Sequence, residues 1–437
     1  MSYKERTKTS KELFEKARRY IPGGASYSLR YFEPYPFYVK KAKGSRIWDV
    51  DGNEYLDFWM VHFAAIFGHG YEPIINAVKD QLEYGAHFGW CNEWEVKWAE
   101  AVCNWFNAEK VKPANSGTEA NMYAVRLARA YTGKKKIGKM EGGWHGGFNG
   151  LHRAVNYPYD KSSSLGLVEE ENVVPLPFND LEGTIERAKE EDLAGIILEP
   201  VLGATGVIPA SEDYLKGLRE FCDKRNIVLI FDEVITGFRY PGGVQNYYKV
   251  KPDLTTLGKA VGGQYFAGAG GICGISEIMD LLDQIKRPNF WERSFHGGTY
   301  VGNALTMRAG YVTIKELEKR KDEVYPYINS LGEHGRKKIE EVLKENKFEA
   351  YVTGLLSMIG LHFTKERPTN GITAERTKNK EIGRKMFSYM LQRGIVYQRP
   401  ETPHFAISTA HTKEEVEKLV EEIGNFIEET KRKAESF

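Results

Sequence analysis

An α/β architecture built on a mostly parallel sheet is the fold class this sequence predicts, and three features carry that expectation. Residues 193–200 (Leu-Ala-Gly-Ile-Ile-Leu-Glu-Pro) and 226–233 (Asn-Ile-Val-Leu-Ile-Phe-Asp-Glu) are short apolar runs, the pattern of strands buried on both faces. Ala120, Ala124, Leu127, Ala128 and Tyr131 fall on one face of a helix, so helix and strand alternate along the middle of the chain. Both apolar runs end in acids: Glu199 in one, Asp232 with Glu233 in the other. Sheets of this kind bind ligands at the carboxyl ends of their strands.

Taken in order, the elements extend that reading. Residues 10–20 form a short polar helix. Residues 46–57 read as a hairpin that turns at Asp51-Gly52-Asn53 between alternating apolar positions. The helix–strand alternation then runs through the centre of the chain. Residues 316–345 are helical and charged. Val416, Leu419, Val420, Ile423, Phe426 and Ile427 mark one apolar stripe of a last helix. The expected organisation is an N-terminal segment, 1–60, packing with a smaller C-terminal domain, 322–437, around a large ligand-binding domain, 61–321.

Composition narrows the function classes. The 437 residues are 41% hydrophobic and 28% charged, far from the composition of disordered chains. A net charge of +1 argues against nucleic-acid binding, which calls for a basic excess. Cys91, Cys103, Cys222 and Cys273 form no CxxC pair, so neither a disulfide framework nor a zinc ribbon is expected. The first residues lack the apolar core of a signal peptide, and no run approaches the ~18 apolar residues of a membrane span. A cytoplasmic protein that binds neither membrane nor nucleic acid is expected.

Several motifs offer chemistry. In Asn115-Ser-Gly-Thr-Glu-Ala-Asn121, Ser116 and Thr118 carry hydroxyls, Gly117 permits close approach, and a helix begins. That is a phosphate seat, or else an ordinary capped helix start. Asp232 at a strand end can hold a cationic ring nitrogen, or be a solvated acid. Lys259, in Thr-Leu-Gly-Lys-Ala, follows an extended apolar segment and precedes glycines. A lysine in tight surroundings loses its proton readily and forms Schiff bases. Residues 261–274 contain six glycines but fail the dinucleotide fingerprint, because Cys273 stands where it requires glycine. The histidines lack HExxH spacing, and no metal site is expected. A phosphate seat, a strand-end aspartate, a Schiff-base lysine and an aromatic beside a Gly-rich turn (Trp144) together match the needs of pyridoxal phosphate.

At this point the sequence resembles the class III pyridoxal-phosphate aminotransferases of fold type I. The matching segments are Asn115-Ser-Gly-Thr-Glu-Ala, Glu141-Gly-Gly-Trp-His-Gly146, Glu199-Pro-Val-Leu-Gly203, Phe231-Asp-Glu-Val-Ile-Thr-Gly-Phe-Arg239, Thr256-Leu-Gly-Lys259 and Gly297-Gly-Thr-Tyr-Val-Gly-Asn303. The resemblance implies a seven-stranded, mostly parallel sheet in the large domain and a smaller α+β domain drawn from both termini. It implies that Lys259 forms the Schiff base with pyridoxal 5'-phosphate, that Asp232 pairs with the ring nitrogen and that Val234 packs on the ring. Trp144 takes the stacking position, beside His145 and with Glu199 nearby. Ser116, Gly117 and Thr118 hold the phosphate. Gly298 and Thr299 reach the phosphate of a neighbouring subunit, which implies a homodimer with shared active sites.

Within the class, the segments around Ile21-Pro-Gly-Gly24, Arg30, Phe231 and Lys259 look most like the glutamate-1-semialdehyde aminomutase branch. Arg30 stands at that branch's substrate-carboxylate position. The substrate shell departs from it: Tyr27 stands where a serine is expected, His62 replaces a tryptophan, Ala204 replaces an asparagine, and Pro403 or His404 occupies the place of a glutamate. Arg399 and His404 are candidate substrate contacts or surface residues. The expectation is an aminotransferase exchanging nitrogen between a carboxylate-bearing amino compound and a carbonyl acceptor by a ping-pong cycle. An aminomutase, a racemase or epimerase, and a non-catalytic cofactor-binding scaffold are the alternatives.

Overall fold

The computed structural model describes residues 2–264, 266 and 268–435. Among these the chain divides into two units. One comprises residues 72–326 and 368–376; the other comprises residues up to 71, 327–367 and from 377 onward. Sequence boundaries were expected after residues 60 and 321. The structural division falls after Tyr71 and at Pro326, which lies inside the helix Lys321–Glu345. The short stretch 368–376 groups with the first unit.

The first unit is organised around a large sheet. Its described strands, in chain order, are β1 (Lys110–Ala114), β2 (Lys136–Met140), β3 (Val173–Leu176), β4 (Leu193–Leu198), β5 (Val228–Asp232), β6 (Leu254–Gly258) and β7 (Gly270–Gly274). They lie side by side as β1-β7-β6-β5-β4-β2-β3, the expected seven strands. The ladders from β3 through β2, β4 and β5 to β6 are parallel, while β7 runs antiparallel to both β6 and β1. Every residue of β4, β5 and β6 is buried. Continuous apolar runs such as Leu-Ala-Gly-Ile-Ile-Leu therefore form strands covered on both faces.

Helix α1 (Gly117–Thr132) covers one face. Ser116 caps its start, its hydroxyl accepting from the Glu119 N–H, and Gly133 ends it in a left-handed conformation (φ 72°). Ala120, Ala124, Leu127 and Ala128 on α1 are fully buried against Ile137, Ala194, Ile197 and Ile230. Small residues on that stripe let the helix lie close to the sheet, which sets its N-terminus at the carboxyl ends of the strands.

The other unit contains the expected hairpin, Arg46–Asp49 paired antiparallel with Glu54–Asp57. The Asp49 carboxylate accepts from the Asp51 and Asn53 N–H groups, and Gly52 supplies the positive φ of 90° that the turn needs. Strand Ile395–Val396 adds parallel to Glu54–Asp57, so N- and C-terminal segments share one sheet. A second antiparallel sheet joins Tyr351–Leu355, Met358–His362 and His404–Ala406. The helix Lys413–Glu435 buries Val416, Leu419, Val420, Ile423, Phe426 and Ile427, the stripe expected from the sequence. Among the described residues no helix is long and apolar enough to cross a membrane.

Candidate active site

The carboxyl ends of the parallel strands converge on one set of side chains. Asp232 is the last residue of β5, Glu199 follows β4, Lys259 follows β6, and the segment bearing Trp144 and His145 follows β2. α1 supplies Ser116, Gly117 and Thr118 at its first turn.

Asp232 is buried, not a solvated strand-end acid. Taking a carboxylate out of water costs several kcal/mol unless its lone pairs are matched. Here Oδ2 accepts from Asn121 Nδ2 at 2.8 Å and meets His145 Nδ1 at 2.7 Å, while Oδ1 accepts from the Val234 N–H at 3.0 Å. Asn121 is held in turn: its Oδ1 accepts from the Thr256 hydroxyl at 2.5 Å, and its Nδ2 also donates to the His145 carbonyl at 3.2 Å. Thr256 stands directly opposite Asp232 in the β5–β6 register.

Lys259 has the left-handed φ of 53°, uncommon for a side chain of this size. The residue keeps part of its surface open, yet its ammonium lies deep enough that burial lowers its pKa, with Asp232 and Glu199 opposing that shift. A lysine that sheds its proton more easily is a better nucleophile. Glu199 is also buried, and burial with the Asp232 charge pushes its pKa up. Its two oxygens accept from the Trp144 N–H at 2.9 Å and the Gly203 N–H at 3.1 Å. Glu199 therefore ties the Trp144 segment to the turn after β4. Trp144 packs edge-to-face on His152.

The first turn of α1 leaves N–H groups without intrahelical acceptors, beside the Thr118 hydroxyl. Glycines clear the space around it. A Cβ on Gly146 would come within 2.1 Å of Thr118 Oγ1, and one on Gly117 within 2.8 Å of Val234 Cγ2. Backbone donors, a hydroxyl and a positive helix end thus come together at one place, as the binding of a small anion would require. Gly298 lies near Asn115, and Thr299 is exposed. Lys259, Asp232, Trp144 and the first turn of α1 fit pyridoxal phosphate in residue type and burial.

The other candidate residues belong to the second unit. Arg30 is exposed at the end of the 3-10 turn Ser28–Arg30 and makes no ion pair among the described residues. Tyr27 stacks on His62 with ring centroids 6.0 Å apart, and Trp59 lies 4.6 Å from the same imidazole. Trp59 and Phe63 both contact His404, at 5.1 and 5.5 Å. His62 sits in a run of four left-handed residues, Met60 to Phe63 (φ 45–70°), a strained turn for β-branched Val61. The Asp57 carboxylate accepts from the Trp59 and Met60 N–H groups at its start. His404 is no surface residue. It is buried, its Nδ1 donates to the Thr402 carbonyl at 2.7 Å, and burial with the Arg399 charge lowers its pKa to about 3. Arg399 is half-buried with φ 58°.

The family profile Aminotransferase class-III matches residues 27–427. The chain belongs to the class III aminotransferase family. It is 38% identical over 422 residues to a glutamate-1-semialdehyde 2,1-aminomutase of Archaeoglobus fulgidus, covering 95% of this chain and 98% of that protein. Among solved structures it is similar to an omega-transaminase of Sphaerobacter thermophilus (33% identity, TM-score 0.88, 96% and 97% of the two chains). It is also similar to a β-phenylalanine aminotransferase of Variovorax paradoxus (29% identity, TM-score 0.86, 97% and 95%). The chain is thus a pyridoxal-phosphate-dependent enzyme with the fold type I architecture.

Asn121 and Thr256 escaped sequence reasoning as Asp232 supports, although Thr256 stands inside a matched motif and Asn121 directly follows one. A polar Asn121 among the alanines of a buried helical face is the signal that marks it. Lys139, wholly buried in β2, was also missed.

Proposed function

We propose that this enzyme is an aminotransferase that exchanges nitrogen between a carboxylate-bearing amino compound and a carbonyl acceptor. Bound at the site, pyridoxal phosphate supplies the aldehyde that captures an amine and the ring that accepts an electron pair. Ser116, Gly117 and Thr118 would hold its phosphate, and Trp144 and Val234 would pack against its ring. Asp232, fixed by Asn121 and His145, presents a carboxylate to the ring nitrogen and keeps it protonated. Lys259 holds the cofactor, and its freed amine moves the proton at the substrate carbon that bears nitrogen. Its lowered pKa favours the neutral form this step requires.

The observation that carries transfer rather than intramolecular shift is the ring cluster of Tyr27, Trp59, His62, Phe63 and His404. Three of its members, Tyr27, His62 and His404, stand at positions where the sequence departs from the aminomutase pattern. The family resemblance assigns Arg30 to the substrate carboxylate and Tyr27, His62 and Arg399 to substrate binding. The aminomutase reading is favoured by the curated relative at 38% identity. A homodimer in which Gly298 and Thr299 serve the neighbouring phosphate is supported by exposed aromatics on the same unit: Trp90, Phe290, Trp291, Phe295 and Tyr300.

A panel of amino compounds, followed by bleaching of the yellow cofactor band and by product analysis, tests this. A transaminase releases a carbonyl product and transfers nitrogen to a second molecule. Arg30→Ala is expected to raise KM about tenfold for carboxylates while sparing simple amines. A positional isomer of the substrate, with nitrogen on a different carbon, as the only product would establish the aminomutase instead. Equal losses for both substrate classes would remove Arg30's role.

A further inference from the structure

Lys139 is a lysine in the interior of the large sheet. It lies on β2, opposite Ile197 of β4 and Pro175 of β3, with none of its surface exposed. Such a group is expensive to bury and does none of the chemistry above. Its Nζ donates to the carbonyls of Met140 (3.2 Å) and Ala154 (3.4 Å). The same two carbonyls accept from the Gly143 N–H (3.0 Å) and the Gly142 N–H (2.9 Å). The ammonium is therefore seated under the turn that leads into Trp144 and His145.

His145 faces that turn with its other nitrogen. Nδ1 is spent on Asp232, while Nε2 is buried with no hydrogen-bond partner among the described residues. Nε2 lies 3.1 Å from the point a Cβ on Gly143 would occupy. A second proton on the imidazole would thus be a buried N–H without an acceptor, close to the field of a lysine. A neutral ring with hydrogen on Nδ1 satisfies the site. The charged groups that act on His145 are Asp232 and Lys139; those that act on Lys139 are Glu199 and Glu141, the latter paired with Arg187 at 2.7 Å.

We propose that Lys139 is a positioning residue: its ammonium, under the turn at Gly142 and Gly143, keeps His145 a neutral donor to Asp232, so that the aspartate meets the cofactor's ring nitrogen with its full negative charge. This rests on the pyridoxal-phosphate reading of the site and adds a residue that acts through another. The directions of titration agree. Burial lowers the His145 pKa, Asp232 raises it, and Lys139 lowers it further. Burial takes Lys139 down to about 7, so it is charged in the acid range where an imidazole would otherwise gain a proton.

The test is nitrogen NMR of the full chain with ring-labelled histidine, the His145 signals being identified by their loss in His145→Gln. Wild type is expected to show a neutral Nδ1–H ring from pH 8 to about 5.5. Lys139→Gln keeps a donor for the two carbonyls without the charge, and Lys139→Met keeps neither. Both are expected to raise the His145 midpoint by about one pH unit or more, and to move the acid limb of the activity profile the same way. A glutamine variant identical to wild type, with only methionine differing, would reduce Lys139 to a prop and overturn the proposal. If both variants failed to fold, the wild-type spectrum still decides, because a doubly protonated His145 at pH 7 contradicts it. The NMR readout is independent of turnover. A chain inactive in the amine panel could still show a neutral His145, and an active one could show it charged.

Discussion

In the unit that carries the large sheet, His145, Glu199, Asp232 and Lys259 stand at or just beyond the carboxyl ends of parallel strands, Lys139 lies within one of them, and glycines clear the space around the first turn of α1. In the other unit, Tyr27, Trp59, His62, Phe63 and His404 make a cluster of rings, held by stacking and by a strained left-handed turn. In the first, a buried carboxylate is matched by three hydrogen-bond donors, an amide, an imidazole and a backbone N–H. The second keeps its buried histidine neutral. A site that must hold one cofactor has little room for change, because each group depends on its neighbours for solvation. A ring cluster contributes shape and apolar area, which tolerate exchange more readily. This is why the cofactor segments match the family closely while the candidate substrate residues depart from the aminomutase pattern.

The comparison breaks first at the glycines. Gly146→Ala would place a methyl 2.1 Å from Thr118 Oγ1 at a φ of +91°. It is expected to weaken cofactor retention at least about tenfold, read as the dissociation constant for pyridoxal phosphate. Unchanged retention would show that the seat is not built as described.

A smaller effect sharpens the contrast through pH. The folded pKa of His404 lies near 3 against 6.5 for the free side chain, so between those values the unfolded chain binds the extra proton. Stability from this group is whole above about pH 6.5 and is lost as pH falls toward 3. In the sheet unit Glu233 has the opposite sign. Burial raises it from 4.5 to about 7, so its contribution is whole at low pH and is lost as pH rises through that range. His404→Gln is therefore expected to flatten the decline of Tm between pH 6.5 and 4, by roughly 3 °C relative to wild type. Parallel Tm curves for the two proteins would remove the buried neutral histidine from the account.

Much of the sheet unit was legible in the sequence because its signals are local. Apolar runs ending in acids marked β4 and β5, and Ser116 with Gly117 marked the start of α1. What the sequence left open was whether Asp232 is solvated, since burial depends on partners far along the chain, Asn121 and His145. Lys139 was invisible for a related reason. A lysine between Gly138 and Met140 reads as a surface residue, and only the strands on either side of it, β3 and β4, make it interior. The sequence alone allows His404 to be a surface residue or a substrate contact, because its burial depends on pairing with the distant strand Met358–His362. The four left-handed residues from Met60 to Phe63 carry no glycine, the usual signal for that conformation, so nothing in the sequence announced the turn.

The central claim is that Lys259 is the residue to which the cofactor is joined. Borohydride reduction of the yellow, full-length enzyme followed by peptide mapping tests it most directly. The account predicts a single stable cofactor adduct on Lys259, and neither adduct nor turnover in Lys259→Ala. An adduct on another lysine, or a Lys259→Ala enzyme that turns over like wild type, would contradict it.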